Sequence, residues 1–264
     1  MAAVTLEPAS GRSHVELAAL FTAGYEGYYM PVSIDEAAFS FMAGTWDYDL
    51  DGSLVATDAG ADVGLCMLAV RGEDAWIGGV GIVAGRRGEG IGEQLMRAAE
   101  ENARARGVTR LWLEVLVQNE PAIGLYEKLG YTRIRGLELW SLEEKLVFQK
   151  HKVPSVPVAD AVGRGEIRQP WQRADATVSN LADAHAFAGE HGSLVYRIAS
   201  EGTASLLQIE ADEENAILQL LGSLPEDTVR LWYLNGPEGD PLNAVLESLG
   251  GTQVARQHEM VLDL

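Results

Sequence analysis

The sequence predicts an α/β protein built from two related units. Two observations carry that expectation. Between Val80 and Tyr131 the chain reads strand, glycine loop, helix, strand, asparagine, helix. Then Arg110-Leu111-Trp112-Leu113 recurs as Arg230-Leu231-Trp232-Tyr233, an offset of 120 at which Pro121 meets Pro241 and Leu129-Gly130 meets Leu249-Gly250. Glu127 with Glu247 and Thr132 with Thr252 extend the match, so strand, helix, Leu-Gly and strand repeat without a slip of register. A chain of 264 residues has room for both copies.

Taken in order, Ser13 is placed to cap a first helix whose apolar residues are Val15, Leu17, Leu20 and Phe21. An aromatic stretch follows, Tyr25 to Pro31, and a second helix is expected from about Asp35 to Trp46. Cys66, the only cysteine, lies in the apolar run Val63–Val70 and reads as core. The strand Ala75–Ile82 carries Gly78, Gly79 and Gly81, which fit a bulge or the close approach of a ligand. After the loop Ile82–Gly92 a helix pattern starts at once, with Ile91, Leu95, Ala98 and Ala99 on one face. Glu93 with Arg97, and Glu100 with Arg104, are i,i+4 pairs expected on its outer face.

A glycine loop opening a helix leaves several N–H groups without partners, aimed at one spot that favours anionic oxygens. No Gly-Lys-Ser/Thr is present, which removes a nucleotide P-loop. Glu114 lies about where a dinucleotide fold places its ribose acid, so spacing alone leaves that reading open. The downstream run decides. Leu113-Glu114-Val115, Asn119 and Leu125-Tyr126-Glu127-Lys128-Leu129-Gly130-Tyr131, with the loop before them, resemble the GNAT superfamily of acyl-CoA-dependent N-acetyltransferases over about 55 contiguous residues.

That resemblance implies a mixed central sheet with flanking helices, acetyl-CoA as donor, an amine as acceptor and no metal. Arg87, Gly88, Gly90 and Gly92, with Glu89 and Ile91 between them, match the loop around the CoA pyrophosphate. Ile82, flanked by Val80 and Val83, takes the place of the strand residue whose backbone pairs with the pantetheine arm. Asn119 matches the asparagine that orients the arm, Tyr126 the acid that protonates the leaving thiolate, and Glu114 a proposed base. One departure is Gly85-Arg86 in place of the usual acidic-aromatic pair. The residue types suit direct attack in a ternary complex. An amine with a pKa of about 8 to 10.4 must lose a proton before attacking a thioester, which a carboxylate can accept. The oxyanion needs a fixed donor, in this family a strand N–H. Glu114 as an ordinary strand carboxylate and Asn119 as a helix cap are the plainer readings of the same residues.

The second copy has lost this chemistry. Glu114 becomes Leu234, Asn119 becomes Gly239 and Tyr126 becomes Leu246. Asp212, Glu213 and Glu214 stand where phosphates would bind and would repel them. The expected division is a catalytic domain over 1–145, a linker over 146–170 and a degenerate GNAT-like unit over 171–264. Residues 176–190 read as one helix. Thr132–Leu142 and Gln253–Leu264 each run without a turn, so each unit is expected to lack its final strand and to take it from the other half.

The net charge of −19 argues against nucleic acid and anionic membranes as partners and suits a cationic acceptor. The first residues lack a basic, apolar leader pattern and no apolar run approaches 18 residues, so a cytoplasmic protein is expected. Glu26 and Tyr29 are the candidate acceptor-binding residues, and a homodimer is the assembly expected. A non-catalytic acyl-CoA sensor and a longer acyl donor are the rival readings. Glu114 and Tyr126 argue against the sensor, since binding alone needs neither acid nor base.

Overall fold

The computed structural model describes residues 4–143 and 150–264. It divides into two compact units, the first running to Ile134 and including Glu259–Leu264, the second Arg135–His258. The join expected at 145–146 lies outside the described residues.

The first unit contains β1 (Thr5–Pro8), α1 (His14–Gly24), α2 (Glu36–Thr45), β2 (Leu54–Asp58), β3 (Ala61–Arg71) and β4 (Asp74–Ile82). There follow α3 (Ile91–Ala105), β5 (Arg110–Leu116), α4 (Glu120–Lys128) and the opening residues of β6 (Thr132–Glu143). Its sheet runs β1-β2-β3-β4-β5, antiparallel except for the parallel pair β4–β5. Ser13 starts α1 as a reciprocal capping box. Its hydroxyl accepts the Glu16 N–H while the Glu16 carboxylate accepts the Ser13 N–H at 2.7 Å. Asp35 caps α2 in the simpler way, accepting the Ala38 N–H at 2.8 Å.

Helix α3 buries Ile91, Leu95, Met96, Ala99 and Ala103 against Leu54, Val63, Leu68, Ile77, Leu111 and Leu113. Each of the larger side chains among these contributes about 1.5–3 kcal/mol on burial, and each alanine less. Glu93 pairs with Arg97 as expected, at 3.0 Å, and with Lys128 at 2.6 Å. Glu100 does not share that outer face. Position 100 lies beside Met96 and Ala103 on the buried stripe, and burial raises the carboxyl above its usual range. Cys66 is fully buried, and its thiol is pushed up for the same reason.

The second unit takes the rest of β6, then β7 (Ser155–Val156), α5 (Asp175–Ser179), β8 (Ala184–Gly189), β9 (Gly192–Ser200) and β10 (Thr203–Ala211). After these come α6 (Glu214–Leu221), β11 (Arg230–Pro237), α7 (Pro241–Ser248) and the start of β12 (Thr252–Asp263). The order is β6-β11-β10-β9-β8-β7. Residues 155–156 of the expected linker are a strand, paired with Phe187 and Ala186. The helix expected over 176–190 is instead the short α5 followed by β8. Ala186 and Ala188 are buried with the more exposed Phe187 between them, the period of two that a strand requires.

The repeat is real in register. Asp74–Ile77 pair with Arg110–Leu113, and Thr203–Leu206 with Arg230–Tyr233, four residues in each case before the strands part. The end strands are exchanged. Residues Arg230–Tyr233 pair with Trp140–Glu143 inside the second unit. In the first, the Leu264 N–H donates to Thr109 O at 2.8 Å and Met260 is fully buried in the core. Among the described residues no helix is long and apolar enough to cross a membrane.

Candidate active site

The site lies where β4 leaves β5. Pairing of β3 with β4 steps from Met67↔Gly79 to Leu68↔Ile77, so Gly78 is the extra residue of a bulge. Beyond it the Val83 N–H donates to Val63 O at 3.1 Å. Antiparallel alternation then turns Gly81 and Gly79 toward β3 and leaves the N–H and C=O of Val80 and Ile82 facing the split.

The strand glycines answer to packing. A Cβ on Gly79 would meet the Phe21 ring at 2.9 Å, and one on Gly81 would meet the Gly24 Cα at 3.1 Å. The last turn of α1 therefore rests directly on β4. At Gly78 a Cβ would lie 2.3 Å from the ring of Tyr48, whose hydroxyl donates to Gly78 O.

The loop after β4 turns on two left-handed residues, Gly88 at φ 81° and Gly90 at φ 84°, and α3 opens with no side-chain cap. Its first N–H groups are available to an anion. The loop is fixed from both sides. Arg86 is held by Glu89 at 2.9 Å and Asp58 at 2.8 Å. Arg87 donates to the carbonyls of Ile82 (3.0 Å), Gly24 (3.0 Å) and Glu26 (2.6 Å), binding the loop to the end of β4 and the turn after α1.

These residues border one cleft of about 540 Å³, lined by Val80, Ile82, Arg87, Gly88, Gly90, Ile91, Gly92, Asn119 and Tyr126, with Tyr25, Tyr28 and Tyr29 at its other wall. Asn119 caps α4, its side chain accepting the Ala122 N–H, with Pro121 in the first turn. Its amide also faces the Tyr28 hydroxyl. Tyr126 is 9% exposed, its ring 5.9 Å from that of Tyr131. Burial, and then the neighbouring Tyr25, Cys66 and Tyr28, push its hydroxyl far above the usual phenol range. It is protonated at any ordinary pH.

Glu114 and Tyr126 approach the split from opposite faces of the sheet. Leu113 and Val115 point into the core shared with α3 and Tyr126, so Glu114 points the other way. There its carboxylate accepts the Trp76 indole N–H at 2.7 Å, and Trp76 packs against Tyr48 and Trp46. Sequence reasoning missed Trp76 as the partner of Glu114. The parallel register sets Trp76 opposite Trp112, two residues before Glu114 on the same face of β5, so the contact follows from strand pairing and not from spacing along the chain. Four candidates lie off the cleft lining. Glu114 is on the far face, Val83 ends the pairing with β3, Glu89 holds Arg86, and Glu26 meets Arg87 through its carbonyl. Tyr29 stands at the mouth, half exposed.

The corresponding split in the second unit is filled. Arg173, 3% exposed, donates to Leu207 O on β10, to Asn235 O on β11 at 3.0 Å and to the Tyr233 hydroxyl at 2.7 Å. Its guanidinium lies 4.0 Å over the Tyr233 ring, and Tyr233 donates in turn to Asp240.

Residues 16–131, which contain every residue lining this cleft, match the family described as Acetyltransferase (GNAT) family. These residues are a GNAT acetyltransferase domain. The chain shares 43% identity over 77 residues with the streptothricin acetyltransferase of Streptomyces lavendulae, 27% of this chain and 41% of that protein. It shares 40% over 77 residues with a Bacillus subtilis (strain 168) protein carrying the name ribosomal protein bS18-alanine N-acetyltransferase, 29% of this chain and 51% of that one. The chain thus spans about half or less of the length of these relatives. A tandem GNAT protein from the clavulanic acid biosynthesis pathway matches over 99% of this chain and 98% of its own, with a TM-score of 0.69 at 17% identity. At that identity the likeness is one of fold, and the fold is the tandem one.

Proposed function

We propose that the GNAT domain transfers the acetyl group of acetyl-CoA to an amine by direct attack in a ternary complex. The observation that carries this reading is the parting of β4 from β5 beside the uncapped start of α3, with Asn119 and Tyr126 lining the same cleft. The N–H groups of Gly88, Gly90, Ile91 and Gly92 would hold the pyrophosphate, and Arg87 adds a fixed positive charge behind them. The Val80 and Ile82 backbone would pair with the pantetheine arm, which Asn119 orients. Val83 and Glu89 act indirectly, the first anchoring the strand end and the second holding Arg86.

Glu114 takes a proton from the amine, the amine nitrogen bonds to the thioester carbon, and the carbonyl oxygen gains charge beside the Val80 N–H. The carbon–sulfur bond then breaks and Tyr126 protonates the thiolate. Because burial makes Tyr126 a weaker acid than a free phenol, that proton moves as the bond breaks rather than after it. Base and acid on opposite faces suit this order, with the amine entering beside Trp76 and the thiolate leaving beside α4.

The acceptor is an amine presented at Tyr29 and Glu26. Relatives named for streptothricin and for the alanine of a ribosomal protein support a small-molecule amine and a peptide N-terminus as the first classes to test. The second unit is read as structural, the protein as cytoplasmic, and a twofold homodimer as its assembly. The test is release of free CoA thiol from acetyl-CoA across peptide N-termini, polyamines and aminoglycosides. Acceptor-dependent release that falls in Tyr126→Phe supports the reading. Tight acetyl-CoA binding with no release would favour the acyl-CoA sensor instead.

A further inference from the structure

Tyr25 occupies a position that packing alone leaves unexplained. Its ring stacks on Phe21 with centroids 4.8 Å apart and planes 5° from parallel, and meets Tyr28 edge-on at 5.0 Å. A phenylalanine would make both contacts. What the tyrosine adds is a hydroxyl that lies 3.1 Å from where a Cβ of Gly79 would stand and faces the Val80 N–H. That N–H is one of the two that alternation turns into the split, and Tyr25 and Val80 line the same cleft. The missing side chain at Gly79 is what lets the hydroxyl come so close.

We propose that Tyr25 is a catalytic residue that completes the oxyanion site, donating its hydroxyl hydrogen to the thioester carbonyl oxygen alongside the Val80 N–H. This rests on the acetyl-transfer reading above. As the amine nitrogen bonds to the carbonyl carbon, the π electrons move to oxygen, and that oxygen settles between two donors. When the carbon–sulfur bond breaks, the electrons return and both donors keep their hydrogens, so Tyr25 ends the cycle unchanged. The geometry suits the task in three ways. The hydroxyl accepts the Val80 N–H while the cleft is empty; when the thioester oxygen is seated that hydrogen turns to it, and the hydroxyl still has its own hydrogen to give. Its ring is clamped between Phe21 and Tyr28, so little rearrangement accompanies the developing charge. And burial keeps the phenol protonated throughout the working range.

The experiment compares wild type with Tyr25→Phe by steady-state kinetics, by acetyl-CoA affinity at equilibrium and by thermal unfolding. The variant keeps the ring and so the stack on Phe21. The expected result is a fall in kcat of about 10²- to 10³-fold, the usual cost of one oxyanion donor, with acetyl-CoA affinity, Tm and the shape of the rate–pH profile unchanged. An unchanged kcat overturns the proposal. So does a gain in acetyl-CoA affinity at unchanged kcat, which would make the hydroxyl a placeholder that the thioester displaces. A drop in Tm matching the loss of rate overturns it too, as a packing effect. Wild type that releases no thiol with any acceptor sinks the acetyl-transfer reading itself, and this inference with it.

Discussion

Arg173 is where the two units differ most consequentially, and removing it tests the claim that the second cleft is sealed. The guanidinium bridges two strands past the end of their pairing, through Leu207 O and Asn235 O, and is 3% exposed. Arg173→Ala leaves both carbonyls buried beside a void. Each stranded group costs about 1–3 kcal/mol, and breaking a buried charged contact typically costs about 3–5 kcal/mol in all. The contacts share one side chain, so the costs are not additive, and a loss of about 4–5 kcal/mol is expected. That approaches the lower end of a domain's whole stability, about 5 kcal/mol, so the second unit should be close to unfolding. Arg173→Lys keeps the charge without the planar fork and should recover less than half. The assay is urea unfolding followed by tryptophan fluorescence, with Trp171 and Trp232 reporting on this unit, alongside calorimetric titration with acetyl-CoA. Wild type should bind one acetyl-CoA per chain. A stability loss under about 1 kcal/mol, or two equivalents bound, would refute the reasoning.

Further outcomes follow from the first unit. Tyr126→Phe should lower kcat by about 10²- to 10⁴-fold with acetyl-CoA binding nearly intact; equal loss of binding would make Tyr126 a positioning residue. Glu114→Gln should abolish the low-pH limb of the rate profile. Trp76→Phe, which strips the N–H that steadies the Glu114 carboxylate, should move that limb to higher pH, and an unmoved limb would place the base elsewhere. Stability should begin to fall at about pH 9, where the buried Cys66 thiol would ionise in the unfolded chain alone, and fall more steeply above about pH 10. Tyr25, Tyr48, Tyr126 and Tyr131 are all raised by burial, so above that pH they ionise in the unfolded chain and not in the folded one. Each costs about 1.4 kcal/mol per pH unit there, roughly 5 for the four, and equal denaturation midpoints at pH 9 and pH 11 would contradict it. Deleting residues 259–264 should unfold the first unit by taking Met260 from its core and the partner of Thr109; retained acetyl-CoA binding in the truncated chain would count against the strand exchange.

Where local rules act, the sequence was easy to read. A glycine loop followed by an apolar stripe located the end of β4, the turn at Gly88 and Gly90 and the start of α3, because backbone conformation and helical period both show in consecutive residues. The repeat at an offset of 120 located β11 and α7 for the same reason. Errors came where distant residues decide. Glu100 reads as an outer ion-pair member from its i,i+4 partner, yet the width of the buried stripe takes it inside. Residues 184–189 hold three alanines, good helix formers, and only a neighbouring strand turns them into β8. The Arg173 plug joins residues 60 positions apart, and no spacing rule connects an arginine to two carbonyls. The same holds for the Glu114–Trp76 contact, which depends on how two strands register.

Both splits arise from the same cause, a parallel pair that ends after four residues, and a split is unstable as backbone alone. Its carbonyls and N–H groups point at nothing and must be satisfied by water, a ligand or a side chain. The second unit satisfies them internally with Arg173, which explains how it can lose the glycine loop, the asparagine and the tyrosine without losing its fold. The first unit meets the Val80 N–H only with the Tyr25 hydroxyl at the cleft wall, and gives Ile82 O to Arg87, which also anchors the loop. It thereby retains less internal satisfaction than its copy and depends more on what binds there. By linkage, acetyl-CoA at a hundredfold excess over its Kd should stabilise the first unit by about 2.7 kcal/mol while leaving the second unmoved. The second unit has a physical reason to be retained whether or not it binds. The strand end that carries Met260 and Leu264 into the first unit's core is the end of β12, whose earlier residues belong to the second unit, so the first unit's core is complete only when the chain runs through the second.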